Sequence, residues 1–291
     1  MRKRNTKWIV LFLVPSLLMY CSFFLYPTIS VFVTSFCKWD GYTAPKFIGF
    51  DNYVKLAKSP AFQQSLKNLI IWALCAIVIH VPFGVLVALI LGKKLKGWRF
   101  TRAVFMLPNV IAPSAMALMF VFFFKPDEGI LNSLIRLFGV QGYNRNWLYS
   151  PDTALFSLTL IWLFYAAVIT LITLAELFSI SEEMIESARI DGASTWQIDW
   201  YIHLPLIRKT IGTGMIIAVT AVFHKFDIIY ITTNGGPGNA TMTLSVMMVN
   251  AISNTMSYGY ANAIGVALIL LGVIVMQTCN RLFKMDRSAY E

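Results

Sequence analysis

Ser181–Leu206, SEEMIESARIDGASTWQIDWYIHLPL, is a polar island between two strongly apolar runs. Its residues predict two short helices joined by a tight turn. Ser179 or Ser181 can cap the first helix, and Glu182, Glu183 and Glu186 suit the positive end of its dipole. Asp191-Gly192 ends that helix, because glycine takes up left-handed geometry without a Cβ clash. Ser194 with Gln197 three residues on is a capping-box signature for the second helix. Pro205 removes a backbone donor and favours a boundary before the next apolar run.

Outward from the island, the composition is that of a membrane protein. Of 291 residues, 57% are apolar and 13% charged, which excludes an ordinary soluble domain and a disordered chain. The apolar residues come in runs long enough to cross a bilayer, which takes about 20 residues of helix. A net charge of +10 suggests nucleic acid at first sight, but the basic residues cluster beside the apolar runs, so no nucleic acid is expected as a partner. Cys21, Cys37, Cys75 and Cys279 have no metal spacing and suit small buried or lipid-facing positions. The apolar run after MRKRNTKW is too long for a signal peptide and lacks a small-residue cleavage site, so it reads as a span that stays.

Six spans are expected: Trp8–Ser35, Leu69–Gly92, Phe100–Phe124, Ala154–Phe178, Ile207–Thr232 and Tyr260–Phe283. Backbone groups in hydrocarbon must bond within their own segment, so the chain is expected to be an all-α integral membrane protein without a sheet. With the N-terminus inside, fifteen Lys and Arg residues fall on the inner side and eight on the outer, which puts both termini and the polar island in the cytoplasm. Residues 1–7 are then a cytoplasmic N-terminus, and 8–291 a single transmembrane domain with its polar loop at about 179–206. The outer segment Cys37–Asn68 reads as two short surface helices broken at Ser59-Pro60, and Gly129–Phe138 as a short amphipathic piece.

The island resembles the EAA loop of permease subunits in bacterial ABC importers. The family pattern falls on Glu186, Ser187, Ala188, Gly192, Ile202, Leu204 and Pro205, with Ser187 the one departure. FDIIYITTNGGP resembles the phrase that closes span 5 in the carbohydrate branch of these permeases, and Gly49, Asn52 and Tyr53 match a segment common ahead of span 2. The resemblance implies a type I ABC importer permease fold with six transmembrane helices in the bacterial cytoplasmic membrane. It implies a second homologous permease, an extracytoplasmic solute-binding protein, and two ABC ATPase subunits, each seating one coupling loop through Glu186, Ser187, Ala188, Asp191, Gly192, Ile202, Leu204 and Pro205. The implied activity is alternating-access import of a carbohydrate, an oligosaccharide above all. Glycerol phosphate or another polyol stays open as the solute. So does a proton-coupled carrier using His224, Lys225 and Asp227, although that leaves the EAA spacing unexplained.

The chain shows no phosphate-cradling Gly-x-x-x-x-Gly-Lys-Ser/Thr loop, and Gly92-Lys93-Lys94 reads as a basic flank. His80, His203 and His224 are scattered, and no catalytic set stands out, so no enzyme and no metal is expected here. ATP and Mg²⁺ belong, on this reading, to the partner ATPase. On the coupling helix, Met184, Ile185 and Ala188 predict an apolar strip for a partner's groove, while Glu186 and Arg189 are spaced to pair.

In span 5, His224 and Asp227 share a helical face. With Tyr230 they either line a substrate path, pair locally or contact the partner permease. In span 4, Trp162 and Tyr165 either stack on a sugar or pack. His80, beside Pro82, is expected to bond to backbone freed by the proline. Glu176 has no assigned role.

Overall fold

In the computed structural model, which describes residues 6–283, the apolar runs become helices. The basic residues Arg2, Lys3, Arg4, Lys284 and Arg287, and with them the expected side of both chain ends, lie outside the described residues.

The first long helix, α1 (Leu11–Thr34), is a predominantly apolar stretch of 24 residues. It is followed by β1 (Cys37–Lys38) and β2 (Lys46–Phe47), a two-residue antiparallel ladder. The expectation of no sheet fails here because the ladder lies between spans, where the hydrocarbon constraint does not act. α2 (Asp51–Lys58) ends at Ser59. Pro60 then starts α3 (Pro60–Gly92), 33 unbroken residues. The expected second surface helix is therefore the first turns of the span, because proline is tolerated at a helix start.

α4 (Trp98–Val110) and α5 (Pro113–Phe123) meet at 100°, where one straight span was expected. Pro113 disfavours the helical region for the residue before it, and Ala112 is extended at φ −55°, ψ 135°. α6 (Ile130–Leu137) matches the expected amphipathic piece. α7 (Pro151–Leu163) and α8 (Ala167–Ser179) bend by 41°. After α9 (Glu182–Ile190), α10 (Thr195–Leu206) meets α11 (Arg208–Phe223) at 69°.

The expected span Ile207–Thr232 is interrupted again at His224–Phe226, before α12 (Asp227–Thr232). α13 (Leu244–Thr255), which the sequence reading did not place, precedes α14 (Tyr258–Phe283). Among the described residues three helices are long and apolar enough to cross a bilayer, and counting each bent pair as one span brings the number to the expected six.

The described residues fall into two compact units. One runs up to Phe62 and adds Met247–Leu270; the other comprises Gln63–Val246 and the residues from Leu271 on. In the first, Asn52 Nδ2 donates to the carbonyls of Ser35 at 2.8 Å and Cys37 at 2.9 Å, and Tyr53 Oη lies 2.7 Å from Ser35 Oγ. The Gly-x-x-Asn-Tyr match is thus a device that satisfies carbonyls left open where α1 ends.

In the second unit, α3 and α8 cross almost backbone to backbone at Gly84. A Cβ there would lie 2.9 Å from Ile169 Cβ, and Thr170 Oγ1 donates to the Gly84 carbonyl at 2.9 Å. Trp72, Ile161, Ile169, Leu174, Ile207 and Ile229 form the fully buried centre of this unit. Outside it, buried Asn132 bonds to the carbonyls of Pro126 (2.8 Å) and Arg145 (2.9 Å) and accepts from Trp147 Nε1 (2.7 Å).

Gly84→Leu should force this crossing apart. We expect a loss of about 1–3 kcal/mol, the usual cost of overpacking, read as a lower melting temperature of the purified protein in detergent. An unchanged melting temperature would show that the crossing has slack.

Candidate functional site

The polar loop folds as its residues dictate, with exceptions. Ser181 occupies the cap position of α9 but its hydroxyl makes no capping bond, and Ser179 Oγ donates to the Glu176 carbonyl instead. Glu182 and Glu183 fill the first turn. Gly192, at φ +83°, turns the chain. The capping box forms, with the Ser194 N–H donating to Gln197 Oε1 at 2.7 Å and the Gln197 N–H to Ser194 Oγ at 3.4 Å. Pro205 does not end its helix; α10 runs on to Leu206, and the bend falls at buried Ile207.

Glu186, Ser187, Asp191, Gly192 and Pro205 are exposed, and Ala188, Ile202 and Leu204 half-buried. Ile185 and Ala188 turn inward, so α9 offers Met184 and Ile190 outward rather than the expected strip; Ile190 is 86% exposed. Trp196 and Trp200 of α10 stack at 5.9 Å, both exposed, with Tyr201 exposed beside them in sequence. Glu186 and Arg189 make no ion pair among the described residues.

One anchor was not legible beforehand. Asp199, buried in α10, accepts from Lys93 Nζ at 2.9 Å, and its other oxygen lies 2.9 Å from His203 Nδ1. Lys93 stands just past the end of α3, so the residue read as a basic flank ties the loop to a span. A cavity of about 150 Å³, lined among others by Leu89, Leu177, Ile185 and His203, lies beside the tie.

A second cavity, of about 190 Å³, gathers Pro113, Trp162, Tyr165, His224, Lys225 and Asp227. Four of the five residues expected along a substrate path meet here. Tyr230 is not part of the lining; it stacks on Phe226 at 4.9 Å. Trp162 is buried, with His80 stacked on it at 4.3 Å and Lys225 Nζ 3.5 Å from its ring centroid. Its faces are therefore engaged by its own chain, and Tyr165 and Phe226 are the other aromatic side chains on the lining.

His80 does not make the expected bond to backbone; its Nδ1 is buried without a partner, and so is the Tyr165 hydroxyl. His224 and Asp227 are exposed and unpaired with Lys225 among the described residues. Ionisable residues within spans are rare and usually face a cavity or a partner, and Lys225 stands in the interruption between α11 and α12 on a cavity wall.

The phrase after α12 is mostly turn-building. Thr233 and Thr241 hydroxyls lie 2.7 Å apart, and Gly235, at φ +85°, leaves no room for a Cβ beside Met242. In the other unit a cavity of about 460 Å³ is lined by Trp39, Asp40, Lys55 and Tyr260 among others. Asp40 accepts from the Thr43 N–H and hydroxyl, both at 2.8 Å, and from the Tyr42 N–H, which lowers its pKa to about 2. Among the described residues no group of three His, Cys, Asp or Glu is placed to hold a metal ion.

Bilayer-length helices, an exposed loop braced on a span and a largely apolar cavity that carries a few ionisable side chains are the marks of a membrane permease. Residues 80–283 match the family described as binding-protein-dependent transport system inner membrane component. The chain is 32% identical over 285 residues to the probable ABC transporter permease protein YurN of Bacillus subtilis, with 96% of each chain covered. It is 30% identical over 273 residues to the multiple sugar-binding transport system permease protein MsmF of Streptococcus mutans serotype c, with 93% of each covered. The fold matches a chain from the crystal structure of a bacterial ABC transporter involved in the import of the acidic polysaccharide alginate, at a TM-score of 0.85 and 21% identity over 98% of both chains. The chain belongs to the family of inner membrane components of binding-protein-dependent transport systems, and it has the type I permease fold.

The Lys93–Asp199 tie is open to a double-mutant cycle. Lys93→Met and Asp199→Asn should each cost about 2 kcal/mol, since each removes a hydrogen bond between charged, partly buried groups. Exchanging the charges, Lys93→Asp with Asp199→Lys, should recover part of the loss in detergent melting temperature. Strictly additive losses would show that the two residues do not act as a pair.

Proposed function

We propose that this chain is the transmembrane permease subunit of an ATP-driven carbohydrate importer, with an oligosaccharide as its solute. Residues 8–291 act as one permease domain with both chain ends and the 179–206 loop in the cytoplasm. A second, similar permease completes the path, two ATPase subunits bind ATP and Mg²⁺ and seat one coupling loop each, and an extracytoplasmic binding protein delivers the solute. The similarity to MsmF, a permease of a multiple sugar-binding system, supports the solute class.

The observation that carries the reading is the exposed α9–α10 loop braced through Asp199 on the end of α3. A partner that moves α9 moves a spanning helix with it. Glu186, Ser187, Ala188, Asp191, Gly192, Ile202, Leu204 and Pro205 form the coupling element: exposed acids set register, Gly192 sets the turn, and half-buried Ile202 and Leu204 hold the loop to its span. Trp162, Tyr165, His224 and Asp227 serve the substrate path through their shared cavity, and Tyr230 supports it by packing on Phe226. Reversing a two-state preference from 1:99 to 99:1 takes about 5.5 kcal/mol of differential binding. Closure of the ATPases on nucleotide supplies that bias, opening the path alternately to either side.

Purification of the chain should bring down an ATPase and a second permease; recovery of the chain alone would overturn the proposal. In nanodiscs with the binding protein, ATP hydrolysis should rise with one member of a sugar panel. Glu186→Lys and Gly192→Pro should each lower uptake by roughly tenfold or more, as loss of a central contact does, while the chain still inserts. Proline cannot adopt the φ of +83° found at Gly192.

A further inference from the structure

Lys225 is the one charge of the span cavity that the proposed function leaves without a task. It stands at the break between α11 and α12, with Nζ 3.5 Å from the Trp162 ring centroid. Among the described residues no carboxylate comes within ion-pair distance of it, although Asp227 lines the same cavity. The Tyr165 hydroxyl, on that lining, is buried without a hydrogen-bond partner, and so is Nδ1 of His80, which is stacked on Trp162. Buried polar atoms in native structures are almost always bonded, and those that are not mark a missing water, ion or ligand. Cations inside spans face a cavity or a partner.

Three of the polar groups on the lining, Lys225, Tyr165 and Asp227, differ in what they ask for, and His224 stands exposed beside them. An ammonium and a phenol both donate toward an anionic oxygen, with a charged pair favouring the carboxylate or phosphate form. Asp227 accepts only, which suits the hydroxyls of the same molecule. Trp162, packed flat against His80, presents its ring to the ammonium and holds it by a cation–π contact. A volume of about 190 Å³ is below the roughly 300–1,000 Å³ of a pocket that encloses a drug-sized ligand, so it accommodates one unit of a chain.

We infer that this cavity is a subsite for an anionic group, a carboxylate or a phosphate, on the carried saccharide or polyol, with Lys225 reading the charge and Tyr165 as second donor. The inference rests on the importer reading and goes further by giving the solute a charge. Trp162 and His80 are positioning residues.

The test is uptake into liposomes by the complete assembly, with maltotriose as the neutral solute, trigalacturonate as the carboxylate and glycerol 3-phosphate as the phosphate. Wild type should carry one of the two anions, and which one identifies the group. Lys225→Met should lower that uptake by about tenfold or more, the loss expected for a hydrogen bond to a charged group. Lys225→Arg, which keeps the charge, should retain more of that uptake than Lys225→Met does. Unchanged anion uptake in Lys225→Met overturns the inference. So does loss of the second permease on purifying that variant, because Lys225 would then pair with an acid of the partner. Transport of maltotriose alone overturns the inference and leaves the carbohydrate importer standing; transport of none of the three overturns both.

Discussion

A backbone amide without a partner costs several kcal/mol in hydrocarbon, and every long segment of this chain is shaped by that cost. Helices meet it from within. Where a helix must break, something else has to accept the freed groups. The chain does this with turns closed on themselves, as at His224–Phe226, where the Phe226 N–H donates to the His224 carbonyl at 2.9 Å. It also does so with side chains, as where Asn52 satisfies the carbonyls beyond α1. The polar residues near the ends of the apolar runs are therefore largely structural, and the few left over stand out.

Those leftovers fall in two places. At the loop, Asp199 sits in a helix otherwise rich in aromatic and aliphatic side chains, and its charge is answered by Lys93 and His203. That contact links a surface element to a spanning one, a link that local helix geometry cannot supply. At the span cavity the Tyr165 hydroxyl and His80 Nδ1 are buried without a hydrogen-bond partner, and Lys225 is met by the Trp162 ring and by no carboxylate among the described residues. One cluster is closed on itself, and the other keeps buried polar atoms without a partner among the described residues.

What was legible beforehand follows from the range of each interaction. Ser194 and Gln197 signalled their capping box because both partners lie within one turn, and Gly192 signalled the turn because only its own dihedrals matter. The Lys93–Asp199 pair spans a hundred residues of chain, and nothing local marks either member as the other's partner. The break at Pro113 lies inside an apolar run, Phe100–Phe124, whose length and composition alone suggest one straight span. The interruption at His224–Phe226 carries no glycine or proline at all. Trp162 and Tyr165, three residues apart, line one cavity, whereas the covering of the indole by His80 depends on a helix some eighty residues away.

The crossing at Gly84 has a mechanical corollary. With Ile169 filling the space a methyl would need, and Thr170 latched to the facing carbonyl, there is no clearance for α3 and α8 to slip lengthwise past each other. Side by side they form a strut. A push delivered at Lys93, at the foot of α3, therefore reaches the level of Trp162 as a tilt of two helices together, a lever stroke instead of a piston stroke.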